Sequence, residues 1–132
     1  MTNNPVQKTL GLILIYASIQ PIKRTSLNKL LFFSDVFHLL KTESTITMSK
    51  YFKRPYGPVP EYIDEIRKAM IEDSLLAEEE TMEYSNYVFN YRTELEKGLV
   101  EKIYNEWFLD AEKETIKLVG QTLINWNASE LS

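Results

Sequence analysis

At 132 residues, with 44% hydrophobic and 26% charged side chains, the chain is long enough for one domain whose core needs no staples, and too apolar for disorder. It has no cysteine and one histidine, His38, which removes disulfides, thiolate nucleophiles and cysteine zinc sites and leaves little material for metal or acid–base chemistry. The net charge of −4 hides a split, since residues 1–60 hold eight Lys/Arg and two Asp/Glu while residues 61–132 hold seven and seventeen; such a division steers a partner toward one face or draws the two halves of the chain together.

Asn4-Pro5 predicts a helix start, with Asn4 as cap and proline at the first helical position. The helix runs to about Ile19 and is apolar nearly all round, so it reads as central and buried. Its apolar run, Leu10–Tyr16, is far short of the ~20 residues a membrane helix needs. With a single lysine before it and no clear cleavage pattern after it, a buried helix is preferred over a signal peptide. Pro21 ends it.

Thr25 or Ser26 caps a second helix, Leu27 to Leu40, again apolar on more than one face. Lys29, Asp35 and His38 interrupt it. Lys29 and Asp35 are six residues apart and do not simply pair; each meets a partner at the core edge or contacts another protein. Residues 43–49 read as loop, with Thr45-Ile46-Thr47 a candidate short strand. Tyr51 to Pro60 holds three prolines and a glycine in six positions and reads as stiff and non-helical. Pro60 starts a third helix to about Asp73, with Asp64 and Lys68 an exposed pair.

Leu75 to Arg92 alternates as a β-hairpin turning at Ser85-Asn86, with Tyr87, Phe89 and Tyr91 on one face that covers the core or, as the lesser reading, forms an exposed aromatic strip for a partner. Glu78-Glu79-Glu80 reads as a solvated edge that deters strand addition. Thr93-x-x-Glu96 is a capping box for a fourth helix, whose inner face is Leu99, Ile103 and Trp107. Asp110 caps a fifth, with Ile116, Val119 and Leu123 inward. Asn127 to Ser132 looks like the cap and first turn of a further helix, which suggests a truncated form of a longer chain.

The fold class is therefore α+β: a mainly helical single domain, residues 1–132, with one small antiparallel β-hairpin and a winged-helix-like order of elements. Phosphate-cradling glycine loops and metal spacings are lacking, no histidine stands beside a nucleophile, and no cofactor is expected. A winged-helix order opens a DNA-binding reading, but its recognition helix would be Glu61 to Asp73, with five acids against Arg67 and Lys68. Its wing would set Glu78, Glu79, Glu80 and Glu83 against Arg92. Phosphate contacts dominate DNA affinity, so both elements carry the wrong sign.

Two blocks point to a family. Thr25-x-Leu27-x-Lys29-Leu30-Leu31-Phe32-Phe33-x-Asp35 resembles the "LxKLLYFAD" signature of the Panacea domain, the SocA-type antitoxin domain. Ile46-Thr47, then Tyr51 and Tyr56-Gly57-Pro58-Val59-Pro60, resembles that family's "IT…Y…YGPVP" block, in the expected order and spacing. The resemblance covers about residues 7–125. Ser44 and Met48 stand where the family pattern places glycines, and the family usually runs on past a serine-capped helix near the end.

The resemblance implies a cytoplasmic, non-enzymatic antitoxin of a two-gene system, common in phages and mobile elements, that neutralises its toxin by direct protein–protein binding. An adaptor that delivers the toxin to a protease, and an autoregulating winged-helix protein, are the alternatives. No membrane or nucleic-acid partner is expected. Rigid prolines and tyrosine anchors bind at low entropic cost, so the partner-binding candidates are Lys29, Asp35, Tyr51, Phe52, Arg54, Tyr56, Gly57, Pro58 and Pro60. Gly57 and the prolines have a structural reading beside this one, in which they set a turn and aim the third helix.

Overall fold

The computed structural model describes residues 4–123. The first helix, α1 (Pro5–Ile19), starts as expected: Asn4 Oδ1 accepts the Val6 N–H at 2.8 Å. It is buried at every position from Gly11 to Ala17 and packs on α2, β5 and α4. Gly11 permits the approach to α4, because a Cβ there would stand 2.9 Å from the Phe108 ring.

A two-residue strand, β1 (Ile22–Lys23), leads into α2 (Arg24–Thr42). The helix begins earlier than its hydroxyl residues suggested. Thr25 and Ser26 lie inside the first turn, and Lys23 occupies the cap position with no side-chain bond to the helix's free N–H groups. At the far end Glu43 takes a left-handed conformation (φ 68°) and its N–H closes on the Leu39 carbonyl. Thr45-Ile46-Thr47 forms no strand; its backbone donors are used by Asp35 instead.

The proline-rich segment is a regular hairpin, β2 (Tyr51–Arg54) with β3 (Gly57–Pro60), a second sheet that the sequence reading did not anticipate. Pro55-Tyr56 is its loop, and Gly57 follows with φ 115°, open to glycine but strained for other residues. Arg54 and Gly57 close the loop, so the non-bonded pairs fall at Lys53↔Pro58 and Tyr51↔Pro60. Both prolines thus stand where an N–H would point away from β2, which is why the strand tolerates them.

Helix α3 (Ile63–Glu72) begins three residues past Pro60, after Tyr62 in a left-handed conformation (φ 67°). Asp64 pairs with Arg67 and Arg54 rather than with Lys68. The second hairpin, β4 (Leu76–Glu83) and β5 (Asn86–Thr93), turns at Tyr84-Ser85, one residue earlier than expected. Both turn residues have positive φ, which fits the twist of a two-residue hairpin loop. β1 adds to β5, giving the order β1-β5-β4.

Thr93 ends β5 and is not a helix cap; its hydroxyl accepts the Leu95 N–H at 3.3 Å. Helix α4 (Lys97–Trp107) starts later, so Val100 faces the core with Ile103 and Trp107 beside it, and Leu99 is exposed. In α5 (Asp110–Leu123) Ile116 and Val119 are buried as expected. Asp110 is the first helical residue there, and Glu112 accepts the Leu109 N–H at 2.8 Å. The Leu123 side chain and the expected cap at Asn127–Ser132 lie outside the described residues.

Among the described residues the architecture is α+β, with five helices and two small antiparallel sheets. A further hairpin, β2–β3, is inserted between α2 and α3, so the sheets are two rather than a single hairpin. The charge split has a structural outcome: Lys8, Lys23, Arg24, Lys41 and Arg54 pair with Glu112, Glu83, Glu78, Glu114 and Asp64. Each of these pairs joins the basic half to the acidic half. Among the described residues no helix is long and apolar enough to cross a membrane.

Candidate partner-binding groove

Asp35 sits on the inner face of α2 and is only 2% exposed. Its Oδ1 accepts the backbone N–H groups of Ile46 and Thr47 at 2.8 and 2.9 Å. Its Oδ2 accepts the Thr47 hydroxyl and the Tyr51 hydroxyl, both at 2.6 Å. A buried carboxylate is tolerable when its lone pairs are filled in this way. Burial, then the adjacent Asp35 charge, holds the Tyr51 phenol well above its ordinary pKa. The knot fixes loop 43–50 and, through Tyr51, the root of the β2–β3 hairpin.

His38, one turn further along α2, is also buried and lies 2.9 Å from the Thr115 hydroxyl through Nδ1. Burial lowers its pKa, against the opposing pull of Glu112 and Asp35. Lys8 and Glu112 form a buried pair at 2.5 Å that ties α1 to α5, with Lys8 over the Phe108 ring.

The arm that this frame holds out borders a groove of about 700 Å³. One wall is the hairpin tip, Arg54, Pro55 and Tyr56; the opposite wall is Asn86–Phe89 of β5. The first turns of α2 and α3 close the base with Arg24, Asn28, Asp64 and Arg67. Arg24 donates to the Tyr91 hydroxyl at 2.6 Å and to Glu78 at 3.2 Å, and its guanidinium lies 4.1 Å from the Phe89 ring centroid.

Arg67 is 5% exposed. Its Nη2 donates to Asp64, and its guanidinium faces the Tyr91 ring at 5.7 Å. Its Nη1 and Asn28 Oδ1 are buried without a hydrogen-bond partner among the described residues. Burial lowers the Arg67 pKa from its usual value, yet a guanidinium stays charged at any working pH. Two residues that line the groove therefore each hold a buried polar atom, one donor and one acceptor, with no partner among the described residues.

The partner-binding candidates separate into three groups. Arg54 and Tyr56 line the groove, Tyr56 being 79% exposed, and Phe52 stands half-exposed on the same hairpin. Asp35 and Tyr51 are joined in the internal knot. Pro60 is buried, and Gly57, Pro58 and Lys29 are half-buried. Arg24, Asn28 and Arg67 were not anticipated, and Tyr87 and Phe89 entered only as the lesser reading of the hairpin, an exposed aromatic strip. Arg67 had a signal, since it sits four residues after Ile63 and three before Met70, a cation on an apolar stripe. Tyr87 and Phe89 were expected over the core, but only Tyr91 is fully buried; Tyr87 is exposed because β5 runs beyond the core edge.

Among the described residues no group of His, Asp or Glu is placed to hold a metal ion. Residues 27–132 match the family described as antitoxin SocA-like, Panacea domain, which includes both sequence blocks from Leu27 onward and leaves α1 outside. No curated protein and no solved structure matches the chain.

Proposed function

We propose that this chain, which belongs to the antitoxin SocA-like, Panacea-domain family, neutralises a partner toxin by direct, stoichiometric binding. The observation that carries the reading is the β2–β3 hairpin: an exposed aromatic tip held on a rigid root. Tyr56 and Phe52 offer large apolar area at little conformational cost, and Arg54 stands between them. The Asp35–Tyr51 bond and the two prolines fix the arm before any partner arrives, which lowers the entropy lost on binding. Asp35, Tyr51 and Pro60 then act by shaping this surface, and Phe52, Arg54 and Tyr56 by touching the partner.

The mechanism is occlusion: the toxin's working surface is covered while it remains bound. Co-expression with the adjacent gene of the same operon tests this. The neighbouring product alone should arrest growth, the pair should grow, and the two proteins should co-purify. A Tyr56→Ala, Phe52→Ala double variant should fold and lose rescue. A harmless neighbour, or rescue without a complex, overturns the reading.

A further inference from the structure

The three-stranded sheet has two edges of opposite character. The outer one is β4, where Glu78, Glu79 and Glu80 stand in a row, and a charged edge resists strand pairing. On the other side β1 meets β5 only at Tyr91 and Asn90. Residues Asn86 to Phe89 continue past the end of β1 and line the groove, with no charged side chain among them.

The hairpin register decides which way the backbone points there. With Tyr84-Ser85 as a two-residue loop, Glu83↔Asn86 is the bonded closing pair, and the bonded pairs recur at Thr81↔Val88 and Glu79↔Asn90. Tyr87 lies between them, so its N–H and C=O turn away from β4, toward the groove. Asn28 and Arg67 line the same groove, and their Oδ1 and Nη1 are buried and unpaired among the described residues. The charged lining is Lys23, Arg24, Arg54 and Arg67 against Asp64 alone, in a chain whose net charge is −4.

We propose that the groove receives an extended, acidic segment of a partner protein as a strand added to β5 at Tyr87, with one carboxylate of that segment on Arg67. The inference rests on the partner-binding reading above and names the part of the partner that is gripped. Added strands take affinity from main-chain bonds and specificity from side-chain pockets. Arg67 lines the groove and is only 5% exposed, so a carboxylate drawn against its guanidinium gains a charge-assisted bond with little further loss of hydration on the arginine. Lys23, Arg24 and Arg54 each already face one acid, Glu83, Glu78 and Asp64; they add field around the strand rather than its anchor.

The purified full chain is titrated with a blocked hexapeptide of alternating Val and Glu, the Val/Lys counterpart serving as control, while backbone amides are followed by NMR. The Glu peptide should shift the Tyr87 and Phe89 amides, slow solvent exchange of the Tyr87 N–H and weaken with added salt. Tyr87→Pro removes an N–H that β4 does not use and should weaken binding by about tenfold or more, whereas Tyr87→Val should retain it. Arg67→Met should reduce the preference for Glu over Lys by about tenfold, the field of Lys23, Arg24 and Arg54 leaving some of it. A Tyr87 amide that ignores the peptide, or a Tyr87→Pro chain that binds it as well as the parent, overturns the proposal. Peptide binding together with failed co-expression rescue removes only the antitoxin reading. Rescue with no peptide response removes only the strand addition.

Discussion

Two charged side chains, Asp35 and Arg67, are each more than nine-tenths buried, and they differ in how they are satisfied. Asp35 accepts four hydrogen bonds, all from the loop and hairpin root that it organises. Arg67, which lines the groove, pairs with a half-exposed acid, and its Nη1 is buried with no partner among the described residues. Burial alone therefore does not separate framework from binding surface. The completeness of the hydrogen bonding does, because an unpaired buried group costs free energy until something arrives to pair it.

The contrast predicts opposite responses to loss. Asp35→Ala strands two backbone N–H groups and the Thr47 hydroxyl and leaves the Tyr51 hydroxyl only the Leu31 carbonyl, and should lower unfolding free energy by about 3–5 kcal/mol in urea titrations. A loss below about 1 kcal/mol would dissolve the distinction. Arg67→Met leaves behind only Asp64, which is half in solvent and needs no partner. Stability should then stay within about 1 kcal/mol of the parent, while partner affinity falls by about tenfold. Measuring both on one preparation separates a binding residue from a structural one.

Loop 43–50 sharpens the comparison on a smaller scale. Met48 holds φ 57° and is exposed, at one of the two positions where the family pattern places glycine. Met48→Gly should relieve the left-handed backbone and raise stability by about 0.5–1 kcal/mol, read as a higher thermal midpoint. Ser44, the other such position, is not left-handed; the neighbouring Glu43 is. The smallest effect belongs to His38. Burial holds its folded pKa below the ordinary 6.5, so the unfolded chain binds the proton more readily. This contribution is complete above about pH 6.5 and is lost as pH falls from there toward the folded pKa. His38→Gln should flatten that part of the stability–pH curve.

Much of the frame was legible locally. Asn4-Pro5, the apolar run of α1, the alternation of β5 and the two family blocks each report on a short stretch of backbone, and each was found. Errors gathered where two local signals competed. Three prolines near Gly57 suggested an irregular segment, because the tolerance of a strand for proline depends on which side of it is paired. Thr93-x-x-Glu96 looked like a cap, yet β5 extends through Thr93 to meet Leu76. Of the site, Phe52, Arg54 and Tyr56 could be proposed from sequence, since an exposed arm carries its own chemistry. Arg24 and Asn28 could not, because each matters only through what stands opposite it.

The sequence by itself determined the helices, the longer hairpin, the family and the residue types available for binding, since periodicity and turn chemistry act over a few residues. Only the tertiary structure decided that Asp35 closes a loop eleven and twelve residues away, that Lys8 is buried against Glu112, and that Arg67 is buried with one donor unpaired. The reason is physical: the cost of burying a charge, and whether that cost is met, depends on groups brought together by folding from distant parts of the chain.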